Sequence, residues 1–130
     1  MYLLFLLRNE LLPFIDLSFR FSCSIDNDTQ FEALIDSGAD YNVFHADVAA
    51  YLGINLKKGS KRKISGIGGK VLTGYEHRIT LRLKDFTYHA PVTFSADIPE
   101  NTLAVLGNNG FFDRFVVTLN YQAKIITLTS

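Results

Sequence analysis

The residues best suited to chemistry are Asp36-Ser37-Gly38-Ala39-Asp40, which follow the apolar run Ala33-Leu34-Ile35. The apolar run predicts a buried strand, and Asp, Ser and Gly commonly form tight turns. Such a turn can hold the Asp36 carboxylate rigidly as a group that accepts or donates a proton. The Asp-Ser-Gly triplet occurs once, so a mechanism with two such acids would need two chains. The same triplet is also compatible with an ordinary surface turn.

A second informative stretch is Ile64-Ser65-Gly66-Ile67-Gly68-Gly69-Lys70-Val71, which places three glycines around Ile67. Glycine permits the positive φ angles of tight hairpin turns, and the flanking residues predict strands. We therefore predict a glycine-tipped hairpin that presents an apolar side chain. A phosphate-binding loop is not favoured, because Gly-Lys-[Ser/Thr] is absent and no helix is predicted to follow. The basic stretch before it, Lys57 to Lys63, is predicted to be a solvated loop or strand end.

The elements around these stretches are predicted to be mainly strands. Residues 14–21 and 31–35 are expected to form a hairpin that leads into Asp36, and Ile79 to Leu83 alternates as a half-buried strand does. Residues 46–52 are rich in helix formers and end at Gly53, a typical C-terminal cap. Val105-Leu106-Gly107 ends a buried strand, and residues 110–115 predict a second short helix. Many short strands with frequent turns suggest a barrel or a sandwich.

Length and composition limit the possibilities further. The 130 residues suffice for one domain, and 48% apolar against 20% charged residues exclude a disordered chain. Acids and bases balance at 13 each, which predicts no nucleic-acid partner. Cys23 is the single cysteine, so no internal disulfide can form, and the three histidines lack metal-ligand spacing. We predict no metal and no cofactor.

The N-terminal segment, residues 1–13, begins with a short apolar run, Met1 to Leu7. It is too short to span a bilayer, and no later run approaches 18 apolar residues. A signal peptide is an alternative, although no basic residue precedes the apolar run. We expect this segment to pack on the body or on a partner subunit, residues 14–130 to form the domain, and the protein to be cytoplasmic.

Taken together in this order, the Asp-Ser-Gly-Ala-Asp turn, the glycine-rich hairpin and Val105-Leu106-Gly107 resemble the motifs of the retropepsin-like aspartic proteases. The resemblance covers roughly residues 14–128 and is closest to the single-domain, stand-alone cellular and prokaryotic members. It implies a mainly β fold, a closed barrel with one or two short helices. It also implies that the hairpin is a flap and that Val105-Leu106-Gly107 braces the catalytic loop.

The resemblance implies a role for each matching residue. Asp36 would be catalytic, with Ser37 and Gly38 supporting its loop. The residues implied in substrate binding are Ala39, Asp40, Val43, Ile64, Gly66, Ile67, Leu103 and Val105, and Leu34 also matches a pocket position. Many relatives have an arginine after the brace glycine, where this chain has Asn108. The partner of Asp40 would then be another basic residue, Arg114 or one from the partner chain.

The implied activity is that of an aspartic endopeptidase that works as a homodimer on extended polypeptides, with one Asp36 from each subunit. The terminal strand, residues 125–128, would be a dimer edge that the N-terminal segment could join. Three alternatives stay open. The domain could bind peptides or dimerise with weak or no proteolysis, it could be an unrelated monomeric β-barrel binding module, or it could be a latent protease gated by residues 1–13.

Overall fold

The computed structural model describes residues 2–6, 14–20, 29–65, 69–84, 86–99 and 104–130. The strands are β1 (Tyr2–Leu6), β2 (Phe14–Arg20), β3 (Thr29–Ile35), β4 (Val43–His45), β5 (Ser60–Ser65), β6 (Val71–Leu83), β7 (Phe86–Ser95), β8 (Ala104–Leu106), β9 (Val116–Asn120) and β10 (Ile125–Thr129). The helix α1 spans Ala46–Tyr51, and a 3-10 helix spans Leu56–Lys58.

Seven strands form one curled sheet in the order β2-β3-β8-β4-β7-β6-β5. The sheet curls into a half barrel, and β2 pairs with β6 as well as with β3. The prediction of a mainly β fold is confirmed, and complete closure of the barrel stays a prediction. The hairpin predicted before Asp36 is present as the antiparallel pair of β2 and β3.

The remaining three strands form a small sheet in the order β1-β10-β9. Both neighbours of β10 are antiparallel to it. The prediction that the terminal strand is an edge is therefore wrong for this chain, because β10 is the central strand and both of its sides are paired. Among the described strands, β1 and β9 are the edges of this sheet.

Local sequence explains the helix and its boundaries. Nδ1 of His45 accepts a hydrogen bond from the Asp47 backbone N–H at 3.0 Å, which caps the first turn. Gly53 follows the last turn with φ +75°, the left-handed conformation that glycine adopts without strain. Val48 and Ala49 bury the inner face of α1. The prediction of a glycine-capped helix here is confirmed.

The second predicted helix, over residues 110–115, is wrong, because the structure has a series of turns there. Gly110 has φ +111°, which is outside the right-handed helical region. The Phe112 and Asp113 N–H groups donate to carbonyls five residues earlier, at Gly107 and Asn108. The Asp113 carboxylate accepts from the Gly110 N–H at 3.0 Å, so a local side chain competes with the helical pattern.

The hydrophobic core lies inside the curled sheet and beneath α1. Strand β6 supplies Ile79, Leu81 and Leu83 on its buried face, as the predicted alternation requires. Phe44 and Phe94 are fully buried on paired strands, and their rings meet edge to face with centroids 5.9 Å apart. Strand β4 is thus anchored in the core directly after the loop that carries Asp36.

Two loops that are distant in sequence are hydrogen-bonded to each other at the end of the core. We call residues 36–41 the floor loop and residues 106–109 the brace loop. The Asp36 N–H donates to the Leu106 carbonyl at 3.0 Å, the Asn108 N–H to the Ala39 carbonyl at 2.8 Å, and the Asn109 N–H to the Asp40 carbonyl at 2.9 Å. The floor loop is therefore held by backbone groups along its length.

Gly107 makes this close approach possible. A Cβ atom added at Gly107 would overlap the Tyr41 carbonyl oxygen and would lie 2.6 Å from the Ala39 carbonyl oxygen. Both neighbours are backbone atoms, so neither can move aside without displacing the floor loop. Only glycine fits at this position.

Asn42 ties the same two loops to the sheet from below. It is fully buried, and its Oδ1 accepts a hydrogen bond from the Gly107 N–H at 3.0 Å. Its Nδ2 donates to the Pro91 carbonyl at 3.2 Å, while its own carbonyl accepts from the Thr93 N–H at 2.9 Å. One side chain thus satisfies a buried N–H group in the brace loop and a partly buried carbonyl in β7.

Replacing Gly107 with alanine is expected to lower the free energy of unfolding by about 2–3 kcal/mol, because the added methyl group meets fixed backbone oxygens. Urea denaturation at one protein concentration measures this. Gly53→Ala is the matched control: no heavy atom lies within 4 Å of its added Cβ. Its cost of about 1 kcal/mol should come from the positive φ alone. Equal losses in the two variants would contradict the steric account.

Asn42→Ala is expected to lower the free energy of unfolding by about 3 kcal/mol, because it leaves the buried Gly107 N–H and the partly buried Pro91 carbonyl without their partner. The control is Asn55→Ala, since Asn55 is exposed and its side chain makes no capping hydrogen bond. That variant should stay within about 0.5 kcal/mol of the original chain in the same denaturation assay. A loss at Asn42 no larger than at Asn55 would show that the buried amide does not hold the loops.

Candidate active site

Asp36 lies at the end of β3, in a turn that its own side chain closes. Oδ1 of Asp36 accepts a hydrogen bond from the Gly38 N–H at 2.9 Å, and the Asp36 carbonyl accepts from the Ala39 N–H at 3.1 Å. A Cβ atom at Gly38 would lie 3.2 Å from that same Oδ1, so glycine leaves room for the carboxylate. The side chain is exposed, while its backbone is held by the brace loop. The result is an acid in a fixed position with an accessible oxygen.

A cavity of about 280 Å³ lies in front of this turn, between the floor loop and the hairpin formed by β5 and β6. Seven of the residues implied by the resemblance line it: Asp36, Gly38, Ala39, Asp40, Val43, Ile64 and Val105. Ser37 is exposed beside it and does not line it. Leu34 is paired in register with Val105 and does not line it either. Gly66, Ile67 and Leu103 lie outside the described residues.

Four further residues on the cavity wall were not predicted from the sequence: Tyr41, Ser65, Leu72 and Ile98. Ser65 and Leu72 lie on the two arms of the predicted hairpin, so the alternation of its strands carried a usable signal. Tyr41 directly follows the Asp-Ser-Gly-Ala-Asp motif. Ile98 lies in a polar loop after β7 and gave no signal. Asn42, which holds the loops from below, was also missed.

The hairpin extends over the cavity from both of its arms. Ile64 of β5 and Leu72 of β6 are paired in register, and both line the cavity. The start of β6 is fixed, because the Thr73 N–H donates to the Asp97 carboxylate at 2.9 Å. The Ser95 hydroxyl donates to the Thr73 carbonyl at 2.6 Å. The hairpin is thus anchored to the loop that follows β7.

Two arginines near the site stack on tyrosine rings. Cζ of Arg62 lies 4.2 Å from the ring centroid of Tyr41, and the guanidinium also forms an ion pair with Glu76. The pKa of the Arg62 guanidinium is raised, mainly by its hydrogen bond to Glu76. Cζ of Arg114 lies 5.1 Å from the ring centroid of Tyr88. Among the described residues, no ion pair joins Arg114 to Asp40, so a basic residue from a partner chain remains the predicted alternative.

Tyr88 connects the turn after the brace loop to the core. Its hydroxyl donates to the Gly110 carbonyl at 3.0 Å, and its ring meets Phe115 edge to face. Burial is the main cause that raises the pKa of this phenol, while the nearby Arg114 acts in the opposite direction. The phenol therefore stays neutral as a hydrogen-bond donor and holds the turn that follows the brace loop.

Within the part of the chain that the structure describes, no cluster of three or more His, Cys, Asp or Glu side chains is placed to hold a metal ion. In the same part of the chain, no helix has the length and apolar character needed to cross a membrane. The chemistry available in the cavity is that of a carboxylate beside an apolar groove, which suits proton transfer to and from water or a bound carbonyl group.

The fold is similar to several solved structures. A retropepsin-like aspartic protease from Rickettsia conorii has a TM-score of 0.68 at 11% identity, over 98% of this chain and 90% of that one. The retroviral protease-like domain of Ddi1 from Leishmania major has a TM-score of 0.66 at 13% identity, over 92% of this chain and 89% of that one. EIAV protease in complex with the inhibitor HBY-793 has a TM-score of 0.57 at 23% identity, over 77% of this chain and 85% of that one.

In sequence, no curated protein matches the chain. The profile of the aspartyl protease family does match it, over residues 21–109. This match spans more than half of the chain and includes Asp36, the floor loop, the β5–β6 hairpin and the brace loop. The chain therefore belongs to the aspartyl protease family, and its fold is of the retropepsin-like type.

Proposed function

We propose that the protein is a homodimeric aspartic endopeptidase, in which a water molecule is activated between Asp36 of one subunit and Asp36 of the partner subunit. The observation that carries the proposal is the geometry of Asp36. Its carboxylate is exposed at the wall of a groove, and both its backbone and its Oδ1 are held by backbone hydrogen bonds. An acid that is fixed and accessible in this way suits catalysis better than an ordinary turn does.

A second copy is required by the chemistry. Two carboxylates held about 3 Å apart cannot both ionise, so the pair shares one proton, as is general for aspartic proteases. This chain has a single Asp-Ser-Gly triplet, and a two-fold axis through the site would bring the second acid from an identical turn. Ser37, exposed next to Asp36, would then be near Ser37 of the partner subunit and could join the two loops by hydroxyl hydrogen bonds.

The pair of carboxylates can supply and recover every proton that the reaction moves. The ionised carboxylate takes a proton from water as the water oxygen attacks the peptide carbonyl carbon, and the protonated acid donates its proton to the carbonyl oxygen. The pair again holds one proton. When the C–N bond breaks, the nitrogen takes that proton and a hydroxyl of the tetrahedral intermediate returns one to the pair. No covalent enzyme intermediate is needed.

The exposed edge of the small sheet supports dimerisation. Strand β9 is an outer strand of that sheet, and Val116 and Leu119 on it are 68% and 50% exposed. Among the described strands, none pairs with the outer side of β9, and such an edge favours addition of another strand. A second copy of the chain is the partner that the single Asp36 already requires. β1 forms the opposite edge of the same sheet, so residues 1–13 are proposed to contact the partner subunit from that side.

The shape of the groove supports an extended peptide as substrate. The floor loop lies on one side and the paired residues Ile64 and Leu72 on the other. Val43 and Val105 complete apolar walls, which favours hydrophobic side chains next to the cleaved bond. We propose that the β5–β6 hairpin is the flap, and that Gly66 and Ile67 at its tip bind the substrate backbone as an added strand does.

Asp36→Asn is expected to reduce cleavage of a peptide library by about 10³-fold or more, because asparagine cannot accept the proton from water. The original enzyme should show a bell-shaped pH profile, since one acid must be ionised and the other protonated. Asp47→Asn is the matched control, because Asp47 is an exposed acid on α1, away from the cavity. Its activity should stay unchanged.

Cleavage by Asp36→Asn at the rate of the original enzyme would overturn the mechanism. Sedimentation of the active enzyme tests the dimer, and a strictly monomeric active protein would contradict it. Binding of library peptides with no cleavage by the original protein would favour the alternative, a retropepsin-like domain that binds peptides or dimerises without proteolysis.

A further inference from the structure

Arg62 is distinguished from the other basic residues of its strand by the direction of its side chain. Along β5, Arg62 and Ile64 are half-buried, whereas Lys61, Lys63 and Ser65 are exposed. This alternation places Arg62 and Ile64 on the more buried face of β5. The Arg62 side chain extends from the hairpin to the floor loop, where its guanidinium lies over the Tyr41 ring.

The contact that Arg62 makes there is with Tyr41. Its Cζ is 4.2 Å from the centroid of the Tyr41 ring, well inside the range of cation–π attraction. Nε of Arg62 is buried and makes no hydrogen bond to any described residue. A partly desolvated guanidinium binds an aromatic face more strongly than a hydrated one does. Tyr41 itself lines the cavity directly after Asp40.

Glu76 holds the guanidinium in this position. It lies on β6, two residues along from Gly74, the register partner of Arg62, and forms an ion pair with the Arg62 terminal nitrogen. Both side chains are mostly buried, at 30% and 24% exposed. The ion pair joins the two arms of the hairpin, and the stacked ring joins the hairpin to the floor loop. Glu76, Arg62 and Tyr41 thus form a continuous set of contacts, which we call the clamp, from the β5–β6 hairpin to the floor loop.

We propose that Arg62 is a positioning residue for substrate binding. It fixes Tyr41 as a side wall of the cavity and sets the distance between the β5–β6 hairpin and the floor loop. The inference rests on the proposed peptidase function and deepens it. Arg62 and Tyr41 act on the cavity wall and not on the Asp36 carboxylate. The clamp should therefore affect the affinity and the selectivity of peptide binding, with little effect on the chemical step.

The arginine is needed for its shape as well as its charge. A planar guanidinium can stack on the ring while its edge pairs with a carboxylate, whereas a lysine ammonium can do only one of the two from this position. Arg62→Lys and Arg62→Met are therefore both expected to raise KM about three- to tenfold with kcat nearly unchanged. Tyr41→Phe keeps the aromatic face and should raise KM less than Tyr41→Leu, which removes the face that Arg62 contacts.

Two controls separate the clamp from a general effect on the hairpin. Lys61→Met removes a charge from the adjacent, solvent-facing position of β5 and should leave KM unchanged. In the double variant Tyr41→Leu with Arg62→Met, the rise in KM should be smaller than the product of the two single effects, since both single variants remove the Arg62–Tyr41 contact. The clamp should also change which side chain is preferred at one substrate position, measured with a peptide library.

A readout that needs no activity completes the test. Hydrogen exchange of the β5 amides, Ser60–Ser65, should be about three- to tenfold faster in Arg62→Met than in Lys61→Met, because the hairpin loses its tie to the floor loop. If the original protein cleaves no peptide, the proposed function fails, and the exchange comparison still decides the clamp. If it cleaves, and Arg62→Met matches Lys61→Met in KM, selectivity and exchange, the clamp is overturned while the peptidase stands.

Discussion

Three backbone hydrogen bonds join the floor loop to the brace loop, and the placement of Asp36 depends on them. The two loops approach so closely that Gly107 has no room for a side chain. Asn42 then fixes both loops to β7 from beneath. The acid itself belongs to a short turn that could adopt many positions on its own. Its fixed position comes from the brace loop, residues 106–109, which is distant in sequence, so the site forms only when the chain folds.

The cavity lies between this rigid floor loop and the β5–β6 hairpin, which is attached at a few points. Backbone groups and the buried Asn42 amide hold the floor loop, and their hydrogen bonds are strong because water is excluded as an alternative partner. The hairpin is held by the Arg62–Tyr41 contact on one arm and by Asp97 and Ser95 on the other. Such contacts are individually weaker than a backbone ladder, so the hairpin is the part expected to open when a peptide enters.

Much of this could be predicted from local sequence. Period-two alternation predicted the strands, Gly53 predicted the end of α1, and the Asp-Ser-Gly triplet predicted the turn at Asp36, because each of these patterns acts over a few residues. The features that were missed depend on contacts between distant residues. Asn42 and Ile98 have no local signature, and Arg62 could not be told from its lysine neighbours without knowing that Tyr41 lies beneath it.

The two errors have different origins. Residues 110–115 were predicted to form a helix, but the positive φ of Gly110 and hydrogen bonds to carbonyls only five residues earlier impose turns. Residues 125–128 were predicted to form an edge, but β1 and β9 pair with the two sides of that strand. The second error depends on β1, which is distant in sequence and which local residue types do not reveal.

The central claim is that each chain carries half of an active site. Mixing unfolded original and Asp36→Asn chains in varied ratios, refolding them together and measuring peptide cleavage tests it most directly. If one Asp36 from each of two subunits is required, a dimer with one asparagine is inactive, and activity follows the square of the original fraction. An equal mixture should then retain about a quarter of the activity. A linear decline, with about half of the activity in an equal mixture, would contradict the account.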